Sequence, residues 1–136
     1  MKLDGEVIWR PGIGLLDVTT VRPEGPRLIG NVAVQTGEGV IAGFENHGGR
    51  THLGAGQAPL GRVLRGHGND GRSGFEGARS GNVIGTYVHG PLLPKNAWFC
   101  DWLIARALGV EPQAIAPLDD ALEAAAHANA LRAAGL

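Results

Sequence analysis

A chain of 136 residues with 43% hydrophobic and 18% charged side chains has the profile of one globular domain and leaves no room for a second. With 12 basic against 13 acidic side chains, a net charge of -1 and no basic cluster interleaved with aromatics, it carries neither a nucleic-acid footprint nor a membrane-binding basic helix. The single cysteine, Cys100, excludes a disulfide framework within the chain and a multi-cysteine zinc site.

The opening, Met1-Lys2-Leu3-Asp4-Gly5-Glu6, has neither an apolar stretch nor a small-residue cleavage site, and no apolar run reaches the ~18 residues of a membrane span. A cytoplasmic protein without membrane insertion is expected. From Gly12 to His89, short runs rich in β-branched residues are cut by glycine, which predicts strands over 14–20, 28–35, 40–45, 60–65, 75–78 and 82–88. The breaks Glu24-Gly25-Pro26, Thr36-Gly37-Glu38-Gly39, Asn46-His47-Gly48-Gly49 and Gly66-His67-Gly68-Asn69-Asp70-Gly71 hold residues that tolerate positive φ or set tight turns, and are expected to be loops. After Pro94 the spacing becomes helical. Trp98, Trp102, Leu103 and Ala105 recur at three- and four-residue steps, Pro94 and Asn96 mark a start and Gly109 a stop, predicting a helix over about 96–108. The alanine-rich tail over 118–134, with Asp119 and Asp120 in its first turn and Arg132 in its last, predicts a second. Consecutive strands followed by two helices lack the alternation of a doubly wound domain. The chain therefore reads either as the irregular half of a larger α/β domain or as a small α+β domain in its own right.

The densest chemical signal is Gly85-Thr86-Tyr87-Val88-His89-Gly90-Pro91, where a histidine ends an apolar strand and a Gly-Pro turn follows at once. Strand ends are where α/β folds set their sites, and the imidazole is a candidate base there. The competing reading is a strand-end histidine satisfied by a backbone carbonyl. The second signal, Gly43-Phe44-Glu45-Asn46-His47-Gly48-Gly49-Arg50-Thr51-His52, packs a carboxylate, an amide, two histidines and an arginine against glycines. Such a loop lines a polar substrate's pocket or is simply solvated. Glu45, His47 and His52 are metal-ligand types, but their spacing matches no metal motif. Arg27, just before the strand at 28–35, has the planar fork that holds a carboxylate, although a lone arginine is usually solvated. Gly66-His67-Gly68 and Gly12-Ile13-Gly14 resemble fragments of phosphate loops, yet neither opens a helix after a strand, so a nucleotide reading fails on context. Cys100 lies in the helical run Trp98-Phe99-Cys100-Asp101-Trp102, away from the helix N-terminus or strand-to-helix turn that a catalytic thiol needs, and burial is expected.

Taken together, Gly43-Phe44-Glu45-Asn46-His47-Gly48-Gly49-Arg50-Thr51 and Gly85-Thr86-Tyr87-Val88-His89-Gly90-Pro91-Leu92-Leu93-Pro94-Lys95-Asn96 resemble the class I glutamine amidotransferase domains of the cobyric acid synthase type. Arg27-Leu28-Ile29-Gly30-Asn31 and Gly12-Ile13-Gly14-Leu15-Leu16-Asp17 extend the likeness upstream, over about residues 4–108 in all. The run from Pro91 to Asn96 and the Glu45-Asn46-His47 triplet look most like the glutaminase branch that serves lipid II amidation. Cobyric and cobyrinic acid amidotransferases are similar around Thr86 to Gly90.

The resemblance implies a flavodoxin-like α/β class I amidotransferase fold, of which residues 1–136 would be a single piece, the C-terminal portion with hairpin-like strands and two helices. It implies that a cysteine thiolate attacks the side-chain amide of L-glutamine, a histidine acts as base and then as acid to the leaving ammonia, and water clears the glutamyl thioester. His89 matches the family's catalytic histidine and Arg27 the arginine expected to hold glutamine, with Asn46 and His47 beside that pocket. Ammonia would pass to a Mur-ligase-like subunit of a heterodimer, on which ATP and magnesium are expected, to form D-isoglutamine in lipid II; no cofactor and no metal is expected in this chain. Two departures stand out. Many class I members place a glutamate two residues after the histidine, where this chain has Pro91. The nucleophile belongs to a Cys-Gly-Gly-x-Gln-like elbow expected before Gly12, where no cysteine occurs. The chain by itself is therefore expected to be inactive and to expose unpaired strand edges, and a non-catalytic binding remnant of the fold is a competing reading.

Overall fold

The computed structural model describes residues 9–136 in full, and the backbone of two short paired strands, β1 (Lys2–Leu3) and β2 (Glu6–Val7). Met1, Asp4 and Gly5 of the opening read above for leader character lie outside the described residues. The further strands are β3 (Val18–Val21), β4 (Leu28–Gln35), β5 (Val40–His47), β6 (Arg50–Leu53), β7 (Gly61–Arg65), β8 (Phe75–Glu76), β9 (Ala78–Ser80), β10 (Val83–Gly85) and β11 (Val88–His89). Two helices follow, α1 (Ala97–Leu108) and α2 (Ala121–Ala133), separated by a 3-10 turn at Pro112–Ala114. A five-stranded sheet runs in the order β11-β5-β4-β7-β8, while β3 pairs with β6 and β9 with β10 in separate ribbons. These pairings are antiparallel.

The β4–β5 hairpin organises the rest. Valine, isoleucine and alanine fill both strands, and the turn between them is folded by Thr36, whose Oγ1 accepts from the amides of Glu38 (3.1 Å) and Gly39 (3.0 Å). That turn fixes an unbroken register from Gln35 opposite Val40 to Leu28 opposite His47. Strand alternation then sorts the side chains. On one face Val32, Val34, Ile41 and Val88 join Leu60 and the Phe99 and Trp102 rings of α1 in the buried core. The other face carries Ala33 and Ala42, fully buried, where α2 crosses. There the Asn31 side chain donates to the Ala133 carbonyl (3.0 Å), and His127 Nδ1 donates to that of Lys95 (2.8 Å). The arginines Arg79 and Arg106 lie over the Trp102 ring at 4.6 and 5.1 Å, tying β9 to α1.

Asn96 does more than start a helix. Beyond the two residues of β11 the edge of β5 has no strand partner among the described residues, and the Asn96 carboxamide fills that place. Its Oδ1 accepts from the Ala42 amide (2.8 Å), and its Nδ2 donates to the carbonyls of Ala42 (2.9 Å) and Leu92 (2.7 Å). Because Asn96 is fully buried, Asn96→Ala strands the Ala42 amide and carbonyl away from water. The expected cost is about 2 kcal/mol, read as a lowered urea midpoint; an unchanged midpoint would show that water replaces the carboxamide there.

Several expected boundaries shift, each for a physical reason. Residues 46–49, expected to be a loop, divide: Asn46 and His47 continue β5, since β4 pairs with them through Leu28 and Ile29, and only Gly48 and Gly49 turn. Polar residues 50–53 form β6 against β3. The single strand expected over 82–88 splits into β10 and β11, which pair with different partners, so Thr86 and Tyr87 are the crossing between two sheets. Cys100 is partly exposed rather than buried, and its amide bonds to Asn96 O at the first turn of α1.

Candidate functional site

Three strand ends meet at one end of the sheet. His89 stands opposite Phe44 on β5, and Asn46 follows two residues on, so the three side chains share a face, with Ile29 and Asn31 of β4 opposite Asn46 and Phe44. α2 covers only the far part of this face; His89 is exposed, Phe44 is 37% exposed and Ile29 51%. Arg27 joins the group from just before β4. Its Nε donates to Asn46 Oδ1 (2.7 Å) and one terminal nitrogen to the Asn46 carbonyl (2.6 Å), which fixes the guanidinium plane at the open end of the sheet. Arg27, Asn46 and His89 are thus brought together. Asn46 and the Phe44 position that His89 faces lie about 7 Å apart along β5.

The ring of His89 is oriented by its own strand. Nδ1 lies 2.5 Å from the Tyr87 carbonyl, an acceptor that only an Nδ1–H can serve; in the neutral ring this leaves the lone pair on Nε2, which has no protein partner among the described residues. The backbone-carbonyl bond that a strand-end histidine was expected to make is present, and it occupies Nδ1 alone.

His47 is placed differently. It is 5% exposed on the opposite face, its ring parallel to that of Tyr87 at 3.7 Å between centroids. Nδ1 meets the Gly49 carbonyl (2.9 Å) and Nε2 the Glu45 carboxylate (3.4 Å). The tight Gly48-Gly49 turn presses from above, where a Cβ on Gly49 would come within 2.6 Å of Tyr87 Oη. His47 therefore supports Tyr87 from beneath instead of reaching the open face where Arg27 and Asn46 lie. Tyr87 in turn bonds through its hydroxyl to Thr51 Oγ1 (2.8 Å), and Thr51 to Thr20 (2.7 Å).

Two buried carboxylates lie behind this surface, and the sequence marked neither as such. Glu45, fully buried, accepts from the amides of His67 (2.5 Å) and Gly68 (3.0 Å). The Gly66-His67-Gly68 turn is an anion cradle after all, and the anion is the chain's own side chain. Only glycine fits at 66, with φ at +100° and a Cβ that would sit 2.6 Å from Glu45 Oε1. Glu76, also fully buried, accepts from the Tyr87 amide (2.6 Å) and the Thr86 hydroxyl (3.0 Å). Burial, with the nearby Glu45 charge adding to it, pushes the Glu76 carboxyl up to about 7 against the pull of those donors. No local signal could have found it, since its partners lie ten residues on, in the crossing between the two sheets.

Among the described residues no three His, Cys, Asp or Glu side chains are grouped to hold a metal ion. His52, weighed with Glu45 and His47 as a ligand, instead faces Asp70 from β6 (3.7 Å). No helix among the described residues is long and apolar enough to cross a membrane.

Residues 2–97 match the model of the CobB/CobQ-like glutamine amidotransferase domain. Subunit GatD of the lipid II isoglutaminyl synthase (glutamine-hydrolyzing) of Staphylococcus aureus (strain N315) is 43% identical over 97 residues, covering 71% of this chain and 39% of that protein. GatD of Streptococcus pneumoniae (strain ATCC BAA-255 / R6) is 38% identical over 99 residues, covering 71% and 38%. A probable cobyric acid synthase of Methanothermobacter thermautotrophicus is 42% identical over 88 residues, covering 58% and 17%. The chain spans about two fifths of the length of the two GatD relatives.

Proposed function

For a chain that belongs to the CobB/CobQ-like glutamine amidotransferase domain family, we propose the part of acid–base half of a glutaminase that delivers ammonia for amidation. The mixed α/β content, a sheet followed by two helices, is consistent with the flavodoxin-like class I fold of that family. The observation that carries the reading is His89. Its Nδ1 proton is held by a carbonyl, and its ring, whose Nε2 has no partner among the described residues, belongs to the same exposed face as the Arg27–Asn46 pair. In this reading Nε2 takes the proton from a cysteine thiol, and the thiolate attacks the amide carbon of glutamine. The imidazolium returns the proton to the departing ammonia, and water then releases glutamate from the thioester. Arg27 receives the α-carboxylate of glutamine on the donors that Asn46 leaves free.

The cysteine is contributed from outside these 136 residues, since Cys100, the only one in the sequence, sits within α1 and not at the strand-to-helix elbow that the nucleophile of this family occupies. The acceptor is lipid II, by likeness to the GatD relatives, with a Mur-ligase-like subunit as the amidating partner and ATP and magnesium bound there. The cobyric acid synthase likeness supports a second reading, in which the acceptor is a corrin carboxylate. Tracing ¹⁵N from amide-labelled glutamine into one acceptor or the other decides between them.

The test of the glutaminase reading is glutamate release from L-glutamine, with and without a polypeptide carrying the cysteine elbow. None is expected from the 136-residue chain alone, and turnover is expected once the elbow is supplied. Release by the chain alone would overturn this division of labour; no release from the combination would leave the non-catalytic remnant. In the active combination Arg27→Ala is expected to raise KM for glutamine by about tenfold, the loss of one charge-assisted contact, with kcat changed less. A fall in kcat at unchanged KM would place Arg27 elsewhere than on the substrate.

A further inference from the structure

Among the described residues no carboxylate bonds to the ring of His89, and Pro91 occupies the position where many class I members carry one. Yet a buried carboxylate is linked to the ring by an unbroken series of hydrogen bonds. Thr86 Oγ1 donates to both oxygens of Glu76 (3.0 Å each) and accepts from the Val88 amide (3.0 Å). The Val88 amide and the Tyr87 carbonyl are two ends of one peptide group, and that carbonyl takes the Nδ1 proton of His89 at 2.5 Å. Every donor in the series points toward the carboxylate. Each bond therefore strengthens the next: a hydroxyl bound to a carboxylate is a better acceptor, and a peptide whose amide is engaged has a more negative carbonyl.

We propose that Glu76 is a positioning residue for His89, acting through the Thr86 hydroxyl and the Tyr87–Val88 peptide to keep the ring proton on Nδ1 and Nε2 open. The proposal deepens the reading of His89 as the base and rests on it for its consequence. Glu76 never touches glutamine and takes no proton in the reaction. A second bond, from the Tyr87 amide to Glu76 (2.6 Å), clamps the residue whose carbonyl does the orienting, and the ring of His47 stacked beneath Tyr87 limits its motion. The groups facing the Glu76 carboxylate are the Tyr87 and Gly77 amides and the Thr86 hydroxyl, with Glu45 the nearby charge. It is thus placed to hand its charge outward along the series.

The experiment is ¹⁵N NMR of the histidine rings in the 136-residue chain, at a pH where His89 is neutral, which reads the tautomer directly. The wild type is expected to show the Nδ1–H form of His89 with a downfield ring proton. Thr86→Val removes the hydroxyl but leaves the Tyr87–Glu76 bond, and is expected to shift the tautomer ratio toward Nε2–H by about tenfold, the equilibrium counterpart of one net hydrogen bond. Thr86→Ser keeps the hydroxyl and is expected to retain the wild-type ratio, and Glu76→Gln, with a native circular dichroism spectrum, to shift like the valine variant. An unshifted ratio in Thr86→Val, or a serine variant that shifts as far as the valine one, overturns the proposal. The threonine pair decides it should Glu76→Gln fail to fold. The glutaminase assay stands apart: a shifted tautomer with no glutamate release from the combined polypeptides sinks the functional reading and leaves the positioning intact.

Discussion

In a glutaminase assembled from this chain and a cysteine-bearing polypeptide, His89→Ala is expected to lower kcat by about 10²–10⁴-fold, the range for losing a general base and acid. The chain itself should be indifferent. His89 is exposed, and its one hydrogen bond among the described residues goes to the Tyr87 carbonyl, which turns to water when the ring is removed. A surface truncation of this kind shifts stability within about 0.5 kcal/mol, so the urea midpoint is expected to stay. KM for glutamine is expected to move little, because the Arg27–Asn46 pair is untouched. A kcat within tenfold of the wild type would mean that another group takes the thiol proton. A matching fall in stability would mean that the sheet edge, rather than the proton transfer, depends on the ring.

What the sequence disclosed follows the range of the forces involved. β4 and the two helices were legible because alternation, alanine content, Pro94 and Gly109 are local signals, and the observed spans 28–35, 97–108 and 121–133 fall on or within those expected. The end of β5 was not. Asn46 and His47 read as a loop, pocket-lining or solvated, because nothing nearby says that Glu45 before them will be met by the amides of His67 and Gly68, some twenty residues on. Once that carboxylate is satisfied, a polar triplet can continue a strand into the interior. Asn96 and Asn69 make the same point: each carboxamide pairs with a backbone amide and carbonyl, of Ala42 and Gly77 respectively, in the manner of a neighbouring strand. On a sequence they look like a helix cap and a turn residue. For the candidate site, the motif around His89 marked the surface groups, and the supporting groups Glu76 and Tyr87 emerged only with the fold. Thr86 and Tyr87 lay inside the motif without a visible task.

Glu76 carries the second large prediction, a fall in stability as the solution turns from acid to weakly alkaline. Its carboxyl titrates at about 7 in the folded chain against 4.5 ordinarily, chiefly because burial disfavours the charge. Between those values the folded chain keeps a proton that the unfolded chain has released, so the unfolded state binds fewer protons and stability declines with rising pH. The contribution is fully present below about pH 4.5 and is lost as pH rises through 7, some 3 kcal/mol in all. Asp70 works the other way, held below its usual range by the Ser73 and Arg72 amides despite the opposing effect of burial, but its window lies in stronger acid. The clean measurement is the difference in unfolding free energy between wild type and Glu76→Gln from pH 5 to 8, in which titrations common to both cancel. The two are expected to be similar at pH 5, where the protonated carboxyl resembles an amide, and the glutamine variant to be the more stable at pH 8. A flat difference would mean that the cradle of donors offsets the burial completely. A decline ties stability to the task proposed for this side chain: the carboxylate that orients His89 is charged in the pH range where it destabilises the fold. A chain with glutamine there would hold together better and position its histidine worse.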